Sequence, residues 1–93
     1  MLKVNEYFNG TVKSIALNNE EGTATVGVME AGEYEFGTST VEYMTITSGV
    51  LEVLLPGDTE WKAYAKGETF VVEKDLVFQV KANGQVAYYC LYK

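Results

Sequence analysis

The sequence predicts an all-β domain, a small antiparallel barrel or jelly roll of about nine short strands. Three observations carry that expectation. No segment sustains the apolar period of a capped helix. Short runs of alternating apolar and polar residues recur instead, each bounded by Gly, Asn or Asp. The composition agrees, with one proline, seven tyrosines, four phenylalanines and many β-branched residues among 93. That length suits one domain, residues 1–93, with a single modest core.

Taken in order, Met1 to Gly10 ends in an Asn9-Gly10 turn, and Tyr7 and Phe8 are expected to pack as an N-terminal flap. Thr11 to Leu17 is β-rich and stops at Asn18-Asn19-Glu20-Glu21-Gly22, a strong turn signal. Thr23 to Met29 alternates, with Ala24, Val26 and Val28 on one side. After Glu30-Ala31-Gly32, Tyr34 and Phe36 oppose Glu33 and Glu35, which predicts aromatic rings facing in and carboxylates facing out. Gly37-Thr38-Ser39-Thr40 is a loop of small residues whose amides and hydroxyls suit an anion nest.

Thr40 to Pro56 reads as two strands joined by a turn at Ser48-Gly49. Glu42, Met44 and Ile46 share one face of the first; Leu51, Val53 and Leu55 lie together in the second, opposite Glu52. Glu42 is the anomaly, a carboxylate aimed at a core or cavity. Beyond Pro56-Gly57-Asp58, Trp61 to Ala65 and Thr69 to Glu73 form two more short strands. Asp75 to Ala82 places Leu76, Phe78 and Val80 on one face, and Asn83-Gly84 is the best hairpin signal in the chain. The last strand, Val86 to Tyr92, is apolar on both faces.

Charge narrows the function. The net charge is −6, all seven cations are lysines, and histidine is absent. Nucleic-acid binding depends on cations at phosphates, so that class is disfavoured. Nine acidic residues and no lysine lie between Ser14 and Trp61. A phosphate-sized anion held by a positive side chain must therefore use Lys3, Lys13 or a lysine from Lys62 onward. The lack of histidine removes the commonest metal ligand and general base, and one cysteine with scattered carboxylates offers no ligand set, so no metal or cofactor is expected. Cys90 excludes an internal disulfide and fits a small buried hydrophobe in a reducing compartment. No apolar run approaches the roughly 18 residues needed to span a bilayer, and the first ten residues lack a signal-peptide core, so no membrane partner and a cytoplasmic location are expected.

Glu42 and Gly49, with six residues between them, resemble the end of the first cupin motif, and Gly67 stands where the second motif begins. Both motif histidine sites depart from the pattern: Glu35 or Phe36 and Gly37 or Thr38 stand at the first pair, and Phe78 at the later one. A closer resemblance runs along nearly the whole chain. It is carried by Asn5-Glu6-Tyr7-Phe8, Val12-Lys13-Ser14-Ile15, Gly27-Val28-Met29, Gly32-Glu33-Tyr34, Phe36, Met44-Thr45, Ser48-Gly49, Val53-Leu54-Leu55-Pro56, Trp61, Tyr64, Gly67, Phe70, Cys90 and Tyr92. Together these are similar to the small cupin-like pyrimidine/purine nucleoside phosphorylases. The resemblance implies a cupin-type jelly roll, cleavage of purine and pyrimidine nucleosides by phosphate to free base and ribose 1-phosphate, phosphate as co-substrate, and a homodimer.

Phosphorolysis at the anomeric carbon passes through a transition state of oxocarbenium character, as glycoside hydrolysis does. It needs a seat for phosphate, contacts to the ribose and a platform for the base. Glu42 is the candidate for the ribose, where a carboxylate stabilises developing positive charge; the alternative is a carboxylate bonded to buried hydroxyls for structural reasons. Phe36, Phe78, Tyr34 and Tyr88 are candidates for stacking on the base, a contact that tolerates any base; each also reads as ordinary core. Thr38, Ser39 and Thr40, with a lysine such as Lys13 or Lys81, are candidates for phosphate. The rival function is a metal-free cupin module that binds a nucleoside-like or sugar ligand without turning it over.

Overall fold

The computed structural model describes residues 1–93 as ten antiparallel strands and no helix. These are β1 (Val4–Tyr7), β2 (Val12–Asn19), β3 (Gly22–Met29), β4 (Gly32–Gly37), β5 (Glu42–Ser48), β6 (Val50–Leu54), β7 (Lys62–Ala65), β8 (Thr69–Val72), β9 (Val77–Ala82) and β10 (Val86–Tyr92). Six strands form one sheet in the order β1-β2-β3-β10-β5-β8, and four form the other in the order β4-β9-β6-β7. The predicted all-β jelly roll is present, as two facing sheets that are not closed by backbone pairing into one barrel. The strand beyond the expected nine is β1. The N-terminal flap is a strand, pairing Val4 with Ile15 and Tyr7 with Val12. Phe8, Asn9 and Gly10 follow it with φ of 53°, 58° and 83°, and this left-handed run folds Phe8 back over Tyr34 and Phe36 at 5.1 and 5.5 Å between ring centroids.

Two predicted turns do something other than close hairpins. Ser48-Gly49 and Asn83-Gly84 each carry the chain from one sheet to the other, since β5 and β10 belong to the larger sheet and β6 and β9 to the smaller. The first of these corners has no spare room. Gly49 sits at φ 86°, and a Cβ there would lie 2.8 Å from the carbonyl oxygen of Gln85, next to the second corner. Turn chemistry is shared by hairpins and sheet-switching corners, so the sequence signal is the same for both.

The core is the space between the sheets. Met44, Ile46, Leu51 and Val53 are buried as the alternation required, with Phe70, Phe78, Val80 and Cys90 from neighbouring strands. In β3 the face bearing Val26 and Val28 is the outer one, leaving the two valines 46% and 48% exposed; Thr25, Gly27 and Met29 point inward. In β7 Tyr64 packs on Phe70 at 4.9 Å, while Trp61 is covered by the Lys81 ammonium at 4.1 Å. Leu76 precedes β9 and is exposed, so the inward face of that strand begins at Phe78.

Candidate active site

Residues of β1 to β5, β9 and β10 line a cavity of about 280 Å³. That is near the lower end of the usual range for small-molecule sites. Glu42 opens β5, where it pairs with Tyr92 of β10 and Val72 of β8. The inward period it shares with Met44 and Ile46 turns its carboxylate into the cavity, half-buried. Its hydrogen-bond partner is the Cys90 thiol, which donates to Oε1 at 3.5 Å. Burial raises the Glu42 carboxyl above its ordinary value, and the thiol contact opposes this in part.

Phe36 from β4, Phe78 from β9 and Tyr88 from β10 line the same cavity. Phe36 and Phe78 lie 5.8 Å apart with their planes tilted by 33°. Burial pushes the Tyr88 hydroxyl up to about 12, against the pull of Ser14 beside it. Tyr92 shares a hydrogen bond of 2.9 Å with Thr25, and burial raises both the Tyr92 hydroxyl and the Cys90 thiol. All three groups therefore stay protonated at neutral pH. Tyr88 is held by a close approach: a Cβ on Gly27 would come within 2.5 Å of its ring and 2.9 Å of the Lys13 carbonyl. Gly27→Ala is expected to push Tyr88 into the cavity and destabilise the fold by about 1–3 kcal/mol, measured by urea unfolding.

The other candidates lie elsewhere. Tyr34 is buried behind Phe8, and its hydroxyl donates to the Glu30 carbonyl at 2.8 Å. Thr38 is a staple: its hydroxyl donates to the Glu73 carbonyl at 2.6 Å and accepts from the Leu76 amide at 3.1 Å. Its backbone bonds Leu76 and Asp75 as well. Ser39 is exposed and does not line the cavity, and the buried Thr40 hydroxyl has no partner. Lys13 pairs with Glu6 at 3.4 Å on the outer face, and Lys81 lies over Trp61. No lysine lines the cavity.

Sequence reasoning missed Cys90 as the partner of Glu42, and Ser14, Met29 and Tyr92 as lining groups. Cys90 had a signal, since both residues lie on inward strand faces, but only the β5–β10 register makes them neighbours. The Tyr7 and Phe8 flap does reach the cavity mouth.

Cupin-type folds often hold a metal. Here the residues do not fit one, because Glu42 is surrounded by Cys90, Met44 and aromatic rings, and no three His, Cys, Asp or Glu side chains converge anywhere. Fold and site together define a cupin-type β-sandwich with a histidine-free, aromatic cavity and one inward carboxylate.

Comparison with known proteins is consistent with this. The family profile for pyrimidine/purine nucleoside phosphorylase matches residues 2–92, and the chain belongs to that family. It is 55% identical over 93 residues to a Pseudomonas aeruginosa protein of that name, covering all of both chains. A Shewanella pealeana protein of the same name is 56% identical over 92 residues, 99% of each. A crystal structure of a Vibrio parahaemolyticus protein of unknown function superposes with a TM-score of 0.96 at 41% identity, over all of this chain and 99% of that one. The EutQ protein of Clostridium difficile shares the fold, with a TM-score of 0.74 at 17% identity over 97% of this chain and 79% of that one.

Proposed function

We propose that this protein is a nucleoside phosphorylase, a pentosyl transferase that cleaves purine and pyrimidine nucleosides with phosphate. The observation that carries the reading is the half-buried Glu42 carboxylate, with no cationic partner, in an aromatic cavity of nucleoside scale. Family membership adds the reaction class. In this reading the base stacks against Phe36 and Phe78, and Glu42 accepts hydrogen bonds from ribose hydroxyls. As the C1′–N bond breaks, its electron pair passes to the base, which takes up the proton that the attacking hydrogen phosphate gives up, and a phosphate oxygen forms the new bond to C1′. Glu42 stabilises the positive charge that builds on the ring in between. Stacking with few base-edge contacts accounts for broad base tolerance.

Phosphate has only neutral donors to meet in the cavity, among them Ser14 and the tyrosine hydroxyls, so it binds weakly. Incubation with uridine and adenosine, with and without phosphate, tests the reading. Base release is expected only with phosphate, with a KM for phosphate near or above the millimolar end of the usual range. No release, combined with thermal stabilisation by nucleoside, would favour a binding module instead.

The same reading includes a homodimer formed through the outer face of the larger sheet. Two apolar rows cross that face in register, Val4-Ile15-Val26-Tyr89 and Leu17-Ala24-Leu91-Tyr43-Val71. Ile15, Val26, Val28 and Val71 are all exposed there, and apolar area of this kind suits burial against a second copy. Val26→Lys is expected to convert a dimeric mass to a monomeric one by light scattering; a wild-type monomer at micromolar concentration would sink the proposal. A cytoplasmic site of action is part of the proposal too, supported by the free, buried Cys90.

A further inference from the structure

Two carboxylates line the cavity, the exposed Glu35 and the half-buried Glu42, and no cationic side chain joins them there. The one hydrogen bond to Glu42 comes from a thiol, a weak donor, at 3.5 Å. Lys13 on β2, Lys81 on β9 and Lys93 just past β10 are engaged on outer faces: Lys13 with Glu6, Lys81 over Trp61, and Lys93 over Tyr43 at 5.0 Å. Facing the carboxylate are the rings of Phe36, Phe78 and Tyr88, with Tyr7 and Phe8 at the mouth. Aromatic faces carry negative electrostatic potential and attract organic cations, most strongly where water is excluded. A carboxylate among aromatic rings thus suits an organic cation.

We propose that this cavity selects nucleosides whose base carries a positive charge, such as adenosine methylated at N1 or cytidine methylated at N3, over their neutral counterparts. The proposal deepens the phosphorylase reading and rests on it for the reaction, though not for the binding preference. A cationic ring stacked on Phe36 and Phe78 returns to Glu42 the stabilisation that burial removed from its charged form. It also lowers the negative potential that an incoming phosphate must meet.

The chemistry is easier as well. An ordinary base leaves well only if a proton reaches it, and the chain has no histidine to bring one. With an N1-methylated adenosine the C1′–N9 electron pair passes into a ring that is already positive, and the base departs neutral. Phosphate oxygen supplies the electrons of the new C1′–O bond, and no proton is transferred. During this step positive charge moves from the base towards the ribose, remaining beside Glu42.

The test compares two isomers of the same size: 1-methyladenosine, a cation at neutral pH, and N6-methyladenosine, which is neutral. Binding to the wild-type protein is measured first by titration calorimetry without phosphate, so that leaving-group ability plays no part. 1-Methyladenosine is expected to bind about 10-fold more tightly, with an advantage that shrinks as salt is raised and largely disappears in Glu42→Gln. Equal or weaker binding of 1-methyladenosine, or binding of neither isomer, would overturn the proposal, and this wild-type comparison decides even if the variant fails to fold. Phosphate is then added and free base followed. Cleavage of unmodified adenosine without any preference for the cation sinks the cation preference and spares the phosphorylase. Tight binding of the cation with no base released from any nucleoside sustains the preference and sinks the phosphorylase.

Discussion

Glu42→Gln is expected to lower phosphate-dependent base release by ~100-fold or more, the usual scale for removing a group that stabilises transition-state charge. The effect should fall on kcat more than on KM, because the amide still accepts hydrogen bonds from ribose hydroxyls but does not stabilise positive charge on the ring. Single-turnover base release from uridine at saturating phosphate measures it. Unchanged turnover would remove Glu42 from the mechanism. The same variant carries a stability signature. Burial raises the Glu42 carboxyl in the folded state, so folding favours its protonated form. That contribution is full below the unfolded value and is lost as pH rises through the folded one. Glu42→Gln should therefore gain stability relative to wild type at pH 7 and show no such gain near pH 4. Solvent screening of a half-exposed group keeps the gain to ~2 °C in Tm. A variant that loses both activity and stability at pH 7 would mark Glu42 as a structural carboxylate.

Thr38→Val is expected to destabilise the fold by about 2 kcal/mol while leaving the KM for phosphate unchanged. Valine keeps the shape of threonine, but the Glu73 carbonyl loses its donor and the Leu76 amide its acceptor, and each stranded buried group costs about 1–3 kcal/mol. Partial access of water to the exposed turn around Glu73 to Leu76 sets the lower figure. Urea unfolding and a phosphate saturation curve check the two halves. A raised KM for phosphate with unaltered stability would return Thr38 to the role its loop suggested, that of an anion seat. The distinction matters because Gly37 to Thr40 is the most hydroxyl-rich segment near the cavity, and Thr38 is already committed to tying that loop to the turn before β9.

Much of this was legible in the chain. Alternation predicted Met44, Ile46, Leu51 and Val53 as core and singled out Glu42, because a strand's side-chain period is two whatever surrounds it. It could not predict which face of β3 looks inward, since Val26 and Val28 are as apolar as Met29. Packing against Val12 and Val86, and the space Tyr88 needs over Gly27, decided that. Phe8 was legible as a flap residue only in part. Three successive left-handed residues fold it over Phe36, and two of the three are not glycine.

By itself the sequence determined where nine of the ten strands lie, that the class is all-β, that histidine chemistry is impossible and that Glu42 is out of place among apolar neighbours. These depend on identity and period along the chain. The tertiary structure alone decided that Ser48-Gly49 and Asn83-Gly84 are corners between sheets. It decided that Cys90 meets Glu42, and that no lysine lines the cavity. Each of those facts is a relation between residues far apart in the chain, set by strand register and sheet packing, which local patterns do not encode.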